Sequence, residues 1–321
     1  MTLFIRLLDA ENKAEAMAEA VAAVRAGRAD LRVFEVNPEA FAQVPGSPFA
    51  YWVSEAVRTM FRKFKPISET VFLGKGPDTG DDFRFLRLFW EIPSIDIWVN
   101  HPKGGQFSRY YSDPHLMIDW RNNGLYVALI GNMRNISFIR RPGITWSRRT
   151  SSDLSIRCMT KGCVFSDKGP AGFIFDDAHD KLLAVLALVN SQAFGYIVAI
   201  QLAAADAAAR SYEVGVIQRT PLPEISDAIR QQLAAKARRA WSIQRELDTT
   251  NETSHAFILP ALLRAQLGGW DPDALKAELQ HIQAEIDAIA FDLYGFSPED
   301  RAAVAGLSNL DLDLEANEDE E

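Results

Sequence analysis

The feature that most restricts the fold is an alternation of short apolar runs and turns over residues 70–176. The runs include TVFLGKG, RFLRLFWEI, IDIWVN, LMIDW, LYVALI, GITWS, LSIRCM, CVFS and AGFIF, and the turns include GPDTGDD, HPKGG and RRPG. Many short strands at this spacing are typical of antiparallel pairing, because tight turns bring consecutive strands side by side. We therefore predict a β-rich domain built on a twisted antiparallel sheet or a partly closed barrel.

Helical patterns flank this β-rich stretch on both sides. Residues 9–28 place Met17, Val21 and Val24 on one stripe, which predicts an amphipathic helix with Asp9 as its cap. Helices are also predicted over 45–64, 178–209 and 225–306, with a strand-like piece, YEVGVIQ, before the last of them. The predicted fold class is α+β.

The chain has 321 residues, which is enough for about two ordinary domains. We predict an N-terminal helical linker segment over residues 1–69, a β-rich domain over 70–223 and a C-terminal helical region over 224–308. Residues 309–321 form an acidic tail without a core-forming pattern, which predicts disorder.

Composition restricts the class of protein. Hydrophobic residues make up 48% and charged residues 24%, as in folded globular chains. There is no run of about 18 apolar residues and no secretory signal pattern, so we expect a cytoplasmic protein that does not span a membrane. Cys158 and Cys163 are interpreted as ordinary strand residues, because a cytoplasmic chain keeps thiols reduced and two thiols are too few for structural zinc.

The net charge of −9 is distributed unevenly along the chain. The last eleven residues carry seven acidic side chains and no basic one. Residues 101–170 hold eleven Lys and Arg against four Asp, a local charge of +7. A basic middle between acidic flanks favours an anionic partner for the middle segment.

Familiar catalytic motifs are missing from the sequence. There is no glycine-rich dinucleotide motif, no P-loop and no serine nucleophile elbow, and the five His are scattered. Asp176, Asp177 and Asp180 suit a metal site, but they suit a helix N-terminus better, where carboxylates accept from free N–H groups. The motifs place the chain in no class of enzyme.

Basic side chains in the β-rich stretch are interleaved with aromatic residues, glycines and hydroxyls. Lys103 stands beside two glycines, whose backbone can approach a phosphate closely. Residues 140–157 hold the densest Arg cluster, and Arg can pair with guanine or with phosphate. This pattern is compatible with nucleic-acid binding and also with a set of solvated loops that form ion pairs with the acidic flanks.

Blocks over residues 31–223 resemble the C-terminal half of PglX-type adenine-specific DNA methyltransferases of BREX phage defence. Related sequences occur in the DISARM system and in fused type IIG restriction–modification enzymes. The blocks are VPGSPFAYWVS, GKGPDTGDDFRFLRLFWEI, KGGQFSRYYSDPHLMIDWRNNG, RPGITWSRRTSSDLSIRCMTKGCVFSDKGPAGF, LLAVLALVNSQAF and YEVGVIQRTPLP. The later IDAIAFDLYGFSPEDR is similar to the terminal helix block of the same proteins.

The resemblance implies that residues 70–223 are a target-recognition domain. A TGDN-like block, here Thr79-Gly80-Asp81-Asp82, opens that domain, and a helix from Leu182 to Ser191 closes it. The family's S-adenosylmethionine loop and Asn-Pro-Pro-Tyr/Phe motif, which holds the flipped adenine, do not occur here. The resemblance therefore places S-adenosylmethionine on a partner chain or on a missing N-terminal domain, and a split gene, a fragment and a free-standing recognition protein remain the alternatives.

The main hypothesis is a DNA target-recognition portion of an adenine N6-methyltransferase that binds duplex DNA but does not methylate it alone. Phosphate contacts are expected from Lys103, Arg109, Lys161 and Lys168, and base or groove contacts from Arg148 and Arg149. The complete set of predicted DNA-binding residues is Arg84, Arg87, Lys103, Arg109, Trp146, Arg148, Arg149, Arg157, Lys161 and Lys168.

Several of these residues also have a structural interpretation. In a strand such as ITW, Trp146 is more often a core residue than a platform for base stacking. The same alternative applies to Trp98, Trp120, Tyr110 and Tyr111. Arg84 and Arg87, which a strand would point to opposite sides, can pair with Asp81 and Glu91.

Two other hypotheses remain. In one, the chain is a non-catalytic interaction module whose C-terminal third docks a methyltransferase half or another phage-defence subunit. In that case the acidic tail could mimic DNA and cover the basic segment. In the other, the chain is a complete methyltransferase in an unfamiliar arrangement, which the absent motifs disfavour.

Overall fold

The computed structural model describes residues 1–8, 10–202 and 210–305 of the chain, and the fold is α+β. The helices are α1 (Lys13–Arg25), α2 (Glu55–Lys63), α3 (Asp82–Phe85), α4 (Arg121–Ala128), α5 (His179–Val189), α6 (Gln192–Gln201), α7 (Val214–Arg219), α8 (Asp227–Leu247), α9 (Ala261–Leu267) and α10 (Pro272–Tyr294). Short 3-10 turns lie at Pro38–Gln43, Ile67–Glu69, Phe89–Glu91, Ile136–Phe138 and Asp248–Thr250. The cap of α1 is Asn12, whose side chain accepts from the N–H of Glu15 at 3.2 Å, and not the expected Asp9. Asp9 and the acidic tail 309–321 lie outside the described residues.

The strands are short, as the turn spacing predicts. They are β1 (Thr2–Ile5), β2 (Val33–Val36), β3 (Lys65–Pro66), β4 (Val71–Gly74), β5 (Leu86–Leu88), β6 (Trp98–Asn100), β7 (Leu116–Asp119), β8 (Gly143–Trp146), β9 (Arg149–Thr150), β10 (Ile156–Met159), β11 (Ala171–Ile174), β12 (Arg210–Ser211) and β13 (Pro221–Leu222). The larger sheets are an inner sheet of order β10-β8-β11-β4 and an outer sheet of order β5-β7-β6.

The inner sheet is antiparallel and covered on both faces. Successive side chains of a strand point to opposite faces, so Ile144 and Trp146 of β8 join the main core with Ile156 and Ile174. Met159, Phe165 and Phe173 form a second apolar cluster on the other face. Both central strands are buried along their whole length, which makes this sheet the rigid base of the β-rich region.

The main core continues from the inner sheet into the helices. α5 packs on three strands of the inner sheet and against α8, and α10 packs on α8, α5 and α6. Where α5 ends, the Asn190 amide accepts from the Ile156 amide N–H at 2.9 Å and donates to the Ile156 carbonyl at 2.8 Å. Ser191 then caps α6 through the N–H of Phe194. The Leu182–Ser191 block therefore joins the helices to β10.

The outer sheet has a smaller core. Phe85, Leu86, Ile118, Trp120 and Val127 pack around its central strand β7 together with Val164. A buried hydrogen bond links the segments next to the two sheets: Nδ1 of His101, directly after β6, donates at 2.7 Å to the carbonyl of Val164, which lies between β10 and β11.

Three sequence predictions about local structure were wrong. The first four residues of LYVALI form the second half of helix α4, because the left-handed residues Asn122, Asn123 and Gly124 turn the chain out of the extended conformation after β7. YEVGVIQ forms helix α7, which lies beside β4, where the Gln218 side chain donates to the Leu73 carbonyl at 3.0 Å. CVFS is not a strand, although its residues are buried.

Within the described ranges, no single helix is long and apolar enough to cross a membrane. The bent pair α5 and α6 passes the same length and composition test only when the two helices are joined. Both are largely buried in the main core.

Candidate nucleic-acid interface

A cleft of 1190 Å³ separates the β-rich half from the C-terminal helices. One wall is formed by residues 100–116, by β10 and by Lys168, and the other by the end of α8 and residues 251–256. Of the predicted DNA-binding residues, the cleft brings together Lys103, Arg157 and Lys168. These three come from separate parts of the sequence, so the fold creates a basic site that no single segment contains.

Tyr110 fixes the loop that forms the first wall. Its ring is buried and its backbone has a left-handed φ of 68°. The N–H of Tyr110 donates to the Ile156 carbonyl at 2.9 Å, and its carbonyl accepts from the N–H of Cys158 at 2.8 Å. Its hydroxyl donates to Oε1 of Gln283 on α10 at 2.6 Å. The loop is thus attached both to β10 and to the C-terminal helices.

Arg157 lies beneath the same loop and is only 3% exposed. Its guanidinium donates to the carbonyls of Gln106 at 2.7 Å and Ser108 at 3.3 Å, and to Oγ of Ser147 at 3.0 Å. Within the described part of the chain it has no carboxylate partner, and burial lowers its pKa to about 10. Arg157 therefore remains charged at neutral pH and ties the loop to the inner sheet.

The Thr79-Gly80-Asp81-Asp82 block positions Lys103. The Asp81 side chain caps α3 by accepting from the N–H of Arg84 at 3.0 Å. Asp82 accepts from the hydroxyl of Thr79 at 2.5 Å and forms an ion pair with Lys103. Burial works to raise the pKa of the Asp82 carboxyl, but the bonds from Lys103 and Thr79 outweigh it and the pKa is lowered. Part of the charge of Lys103 is therefore neutralised.

The remaining basic candidates lie outside this cleft. Arg149 and Lys161 are exposed on the surface. Arg148 lies 3.6 Å from a carboxylate oxygen of Asp167 and 3.6 Å from one of Glu213. Arg109 stacks over the Phe107 ring, with the guanidinium carbon 5.4 Å from the ring centroid.

Three of the residues predicted to contact DNA have surroundings within the protein that differ from the expected ones. Trp146 is completely buried in the main core and donates from Nε1 to the Tyr212 carbonyl at 2.9 Å, so the structural interpretation of this residue applies. Arg84 lies in helix α3 and not on a strand, because Asp81 caps that turn. Arg87 donates to the carbonyls of Phe83 and Leu86, both at 2.6 Å, and neither arginine forms an ion pair in the described residues.

The three aspartates that follow β11 each bind a separate cation. Asp176 pairs with Lys181, Asp177 with Arg141 and Asp180 with Arg238. Asp176 also accepts from the N–H of Ala178 at 3.2 Å at the start of α5. No side chain in the described part of the chain caps α5, whose N-cap residue is Ala178, so the expected capping role is not observed and the carboxylates are held by these cations.

The opposite wall was missed by the sequence analysis. Asp113 accepts from the backbone N–H of His255 at 3.1 Å and from its Nδ1 at 2.8 Å, and Phe89 stacks on the His255 ring with centroids 3.7 Å apart. Arg245 at the end of α8 also faces the cleft. These partners are more than 100 residues apart in sequence, so no local pattern indicates them.

Charge in the cleft favours anions. Its ionisable lining residues other than His and Cys include four cations, Lys103, Arg157, Lys168 and Arg245, and two carboxylates, Asp113 and Asp248. Cys158 and Cys163 also line the cleft as free thiols, and burial raises the pKa of Cys158 to about 11. These thiols therefore stay protonated and unreactive at neutral pH.

Comparison with known proteins finds relatives that are named as adenine-specific methyltransferases. The chain is 25% identical to the adenine-specific methyltransferase PglX of Lacticaseibacillus casei (strain Zhang) over 326 aligned residues. It is 29% identical to the adenine-specific methyltransferase BrxX of Escherichia coli O9:H4 (strain HS) over 167 residues. The chain is similar to adenine-specific methyltransferases.

The similarity covers most of this chain but a small part of its relatives. The alignment with PglX includes 88% of the chain and 26% of PglX, and that with BrxX includes 49% of the chain and 14% of BrxX. No protein-family model matches the chain.

Proposed function

We propose that the chain is the DNA target-recognition portion of a site-specific adenine N6-methyltransferase in a phage-defence or restriction–modification system. The observation that supports this proposal most directly is the cleft, which is lined by Lys103, Arg157 and Lys168 together with Gly104 and Gly105. The similarity to PglX and BrxX supports DNA as the ligand. Duplex DNA is a polyanion, so a cleft with excess positive charge beside free backbone groups suits its sugar–phosphate backbone.

The proposed roles follow the surroundings of each residue. Lys168, Lys161 and Arg149 are exposed cations that can reach phosphates or base edges without breaking a buried contact. Lys103 and Arg148 are already paired with carboxylates, so they contribute less net attraction. Trp146 supports strand β8 from within the core.

The proposal places S-adenosylmethionine outside the described residues. Nucleotide cofactors in open α/β folds bind at the carboxyl ends of parallel strands, next to a glycine-rich turn. The strands of the sheets described here pair antiparallel. We propose that this cofactor, and with it the transfer of the methyl group, belongs to another chain or to residues beyond this one.

A titration of labelled duplex DNA against salt tests DNA binding. Fluorescence anisotropy would be recorded at several NaCl concentrations with the full chain. The logarithm of the association constant should fall steeply with the logarithm of salt, by about 0.9 per phosphate neutralised. A flat dependence, or no binding at low salt, would remove the basis of the proposal.

An assay of methyl transfer to duplex DNA tests whether this chain recognises DNA while another chain transfers the methyl group. The chain would be assayed alone and together with the product of the adjacent upstream gene. We expect transfer only in the mixture. Transfer by this chain alone would show that the missing motifs have been replaced by an unfamiliar site.

A second candidate function is that of a docking module. α9 supports it, because Leu262, Leu263 and Leu267 on this short helix are exposed. Exposed apolar side chains that share one helix are typical of protein-binding surfaces. If α9 docks the methyltransferase half, Leu262→Ser with Leu267→Ser should abolish co-elution of the two chains while leaving DNA binding by this chain unchanged.

A further inference from the structure

The loop of residues 103–107 has an unusual arrangement of backbone polar groups. Its carbonyls at Gly105 and Gln106 point toward the protein, where they accept from Arg157 at 3.4 and 2.7 Å. Oγ of Ser147 also donates to the Gly105 carbonyl at 2.9 Å. In the described part of the chain, the backbone N–H groups of residues 103–107 have no hydrogen-bond acceptor.

Gly104 and Gly105 make this arrangement possible. Their φ values are 95° and 137°, in the region that side chains other than glycine rarely adopt. Successive backbone N–H groups in a turn can form a concave anion site, and adjacent glycine residues permit such turns. These unpaired N–H groups belong to residues that line the cleft.

A buried cation reinforces these donors. Arg157 has no carboxylate partner in the described residues, and its Nη1 makes no hydrogen bond there. A methyl group placed on Gly105 would lie 3.5 Å from this Nη1, so the free nitrogen lies directly beside the loop. An uncompensated buried charge attracts an anion strongly, because the surrounding protein screens it poorly.

A second Lys-Gly pair completes the site. A Cβ on Gly169 would approach the Gly104 nitrogen at 3.0 Å and the Pro102 carbonyl at 2.8 Å, so the segment 168–169 packs directly against the loop. Lys168 is exposed at this point and lines the cleft. The Asp82 carboxylate pairs with Lys103 and also interacts electrostatically with Lys168.

We propose that the backbone N–H groups of residues 103–107 and Nη1 of Arg157 bind one phosphodiester group of duplex DNA, with Lys168 beside it. This inference rests on the proposed DNA-binding function. It assigns Arg157 two roles: it positions the loop through the carbonyls and contacts the anion through its free nitrogen. Phosphate oxygens supply the acceptors that these donors lack.

Gly105→Ala is the most direct test, because the new methyl group would cover Nη1 and disfavour the φ of 137°. Gly46→Ala is the matched control, since Gly46 has a φ of 88° and open space around it, far from the loop in sequence. Anisotropy titrations should show duplex binding weakened about tenfold by Gly105→Ala and its salt slope reduced by about one. Gly46→Ala should bind as the unaltered chain does.

Arg157→Met provides a second variant, expected to weaken binding at least as much. If circular dichroism shows that this variant does not fold, the Gly105→Ala result decides. Unchanged binding by Gly105→Ala, while the unaltered chain binds DNA, would overturn the phosphate loop and leave the proposed function intact.

A second arm distinguishes DNA from free phosphate. Thermal unfolding would be followed in sodium phosphate and in sodium chloride of equal ionic strength. If the unaltered chain does not bind DNA but is stabilised by phosphate in a manner that Gly105→Ala abolishes, the site is one for free phosphate and the DNA assignment is overturned. Absence of both effects would overturn the loop and the proposed function together.

Discussion

The inner and outer sheets of the β-rich region differ in how their faces are covered. The inner sheet has apolar clusters on both faces and two central strands that are buried throughout. The outer sheet has one small cluster, and apolar side chains near it, such as Phe83 and Ile95, are mostly exposed. Burial of apolar area is the main source of folding stability. We therefore expect the inner sheet to be the stable scaffold of the region and the outer sheet to be a less stable part attached to it.

The cleft loop connects these two regions. It leaves β6 of the outer sheet, contacts β10 of the inner sheet through Tyr110, and returns to β7. The donors that we assign to phosphate are therefore fixed by the stable sheet, although their neighbours in sequence belong to the less covered one. Binding groups fixed on a rigid element lose less entropy on binding.

The largest difference in unfolding free energy is expected when a tryptophan is replaced in or beside each sheet. Trp146→Ala removes a fully buried ring and leaves the Tyr212 carbonyl without its Nε1 donor, which should cost about 4 kcal/mol of unfolding free energy. Trp90→Ala is the control beside the outer sheet, because that ring is half-exposed and should cost about 1 kcal/mol. Urea denaturation measures the unfolding free energy of both variants. Equal losses would contradict the difference in stability between the inner and outer sheets.

The junction between the sheets should respond to pH through His101. Burial lowers the pKa of His101 to about 4 from its ordinary value of 6.5. The unfolded chain therefore binds more protons between these pH values, and stability is lost as the pH falls through this window. The loss at pH 4 relative to pH 7 should be about 3 kcal/mol from this residue.

His101→Gln keeps a donor for the Val164 carbonyl but does not titrate. The difference in unfolding free energy between the two proteins should shrink as the pH is lowered from 7 to 4. Asp287 acts in the opposite direction, because burial raises the pKa of its carboxyl, but it is present in both proteins and cancels. A difference that does not vary with pH would show that His101 is not a buried neutral group.

Tyr110→Phe tests the attachment of the cleft loop to α10. The substitution leaves Oε1 of Gln283 without the hydroxyl that donates to it at 2.6 Å. We expect a loss of about 1–2 kcal/mol in unfolding free energy. Hydrogen exchange should show faster opening of residues 103–116 with little change in the inner sheet. Uniform acceleration across both sheets would contradict a local role for this contact.

The smallest effect on stability is expected for the exposed cation of the cleft. Lys168→Gln should change the unfolding free energy by less than about 0.5 kcal/mol but weaken DNA binding several-fold and lower the salt slope by about one. Lys276→Gln on α10 is the control, because Lys276 is also exposed but lies outside the cleft. Equal effects of the two substitutions on DNA binding would mean that only net charge matters.

Sequence patterns predicted the α+β class and most strands, because alternating apolar runs and turn residues act locally. They failed for LYVALI and YEVGVIQ, where a left-handed turn before α4 and packing of α7 beside β4 override the apolar pattern. They identified Lys103 and Lys168 near glycines but not that the two Lys-Gly pairs touch. The Asp113–His255 pair and the role of Arg157 beneath the loop depend on contacts between distant segments.

Hydrogen–deuterium exchange with and without duplex DNA tests the central claim, that the cleft binds the DNA backbone. We predict protection of residues 100–116 and of the segment around Lys168, with no change in α1 or in the exposed face of α10. Protection should weaken in Gly105→Ala at the same DNA concentration. DNA-dependent protection confined to surfaces outside the cleft would contradict the account.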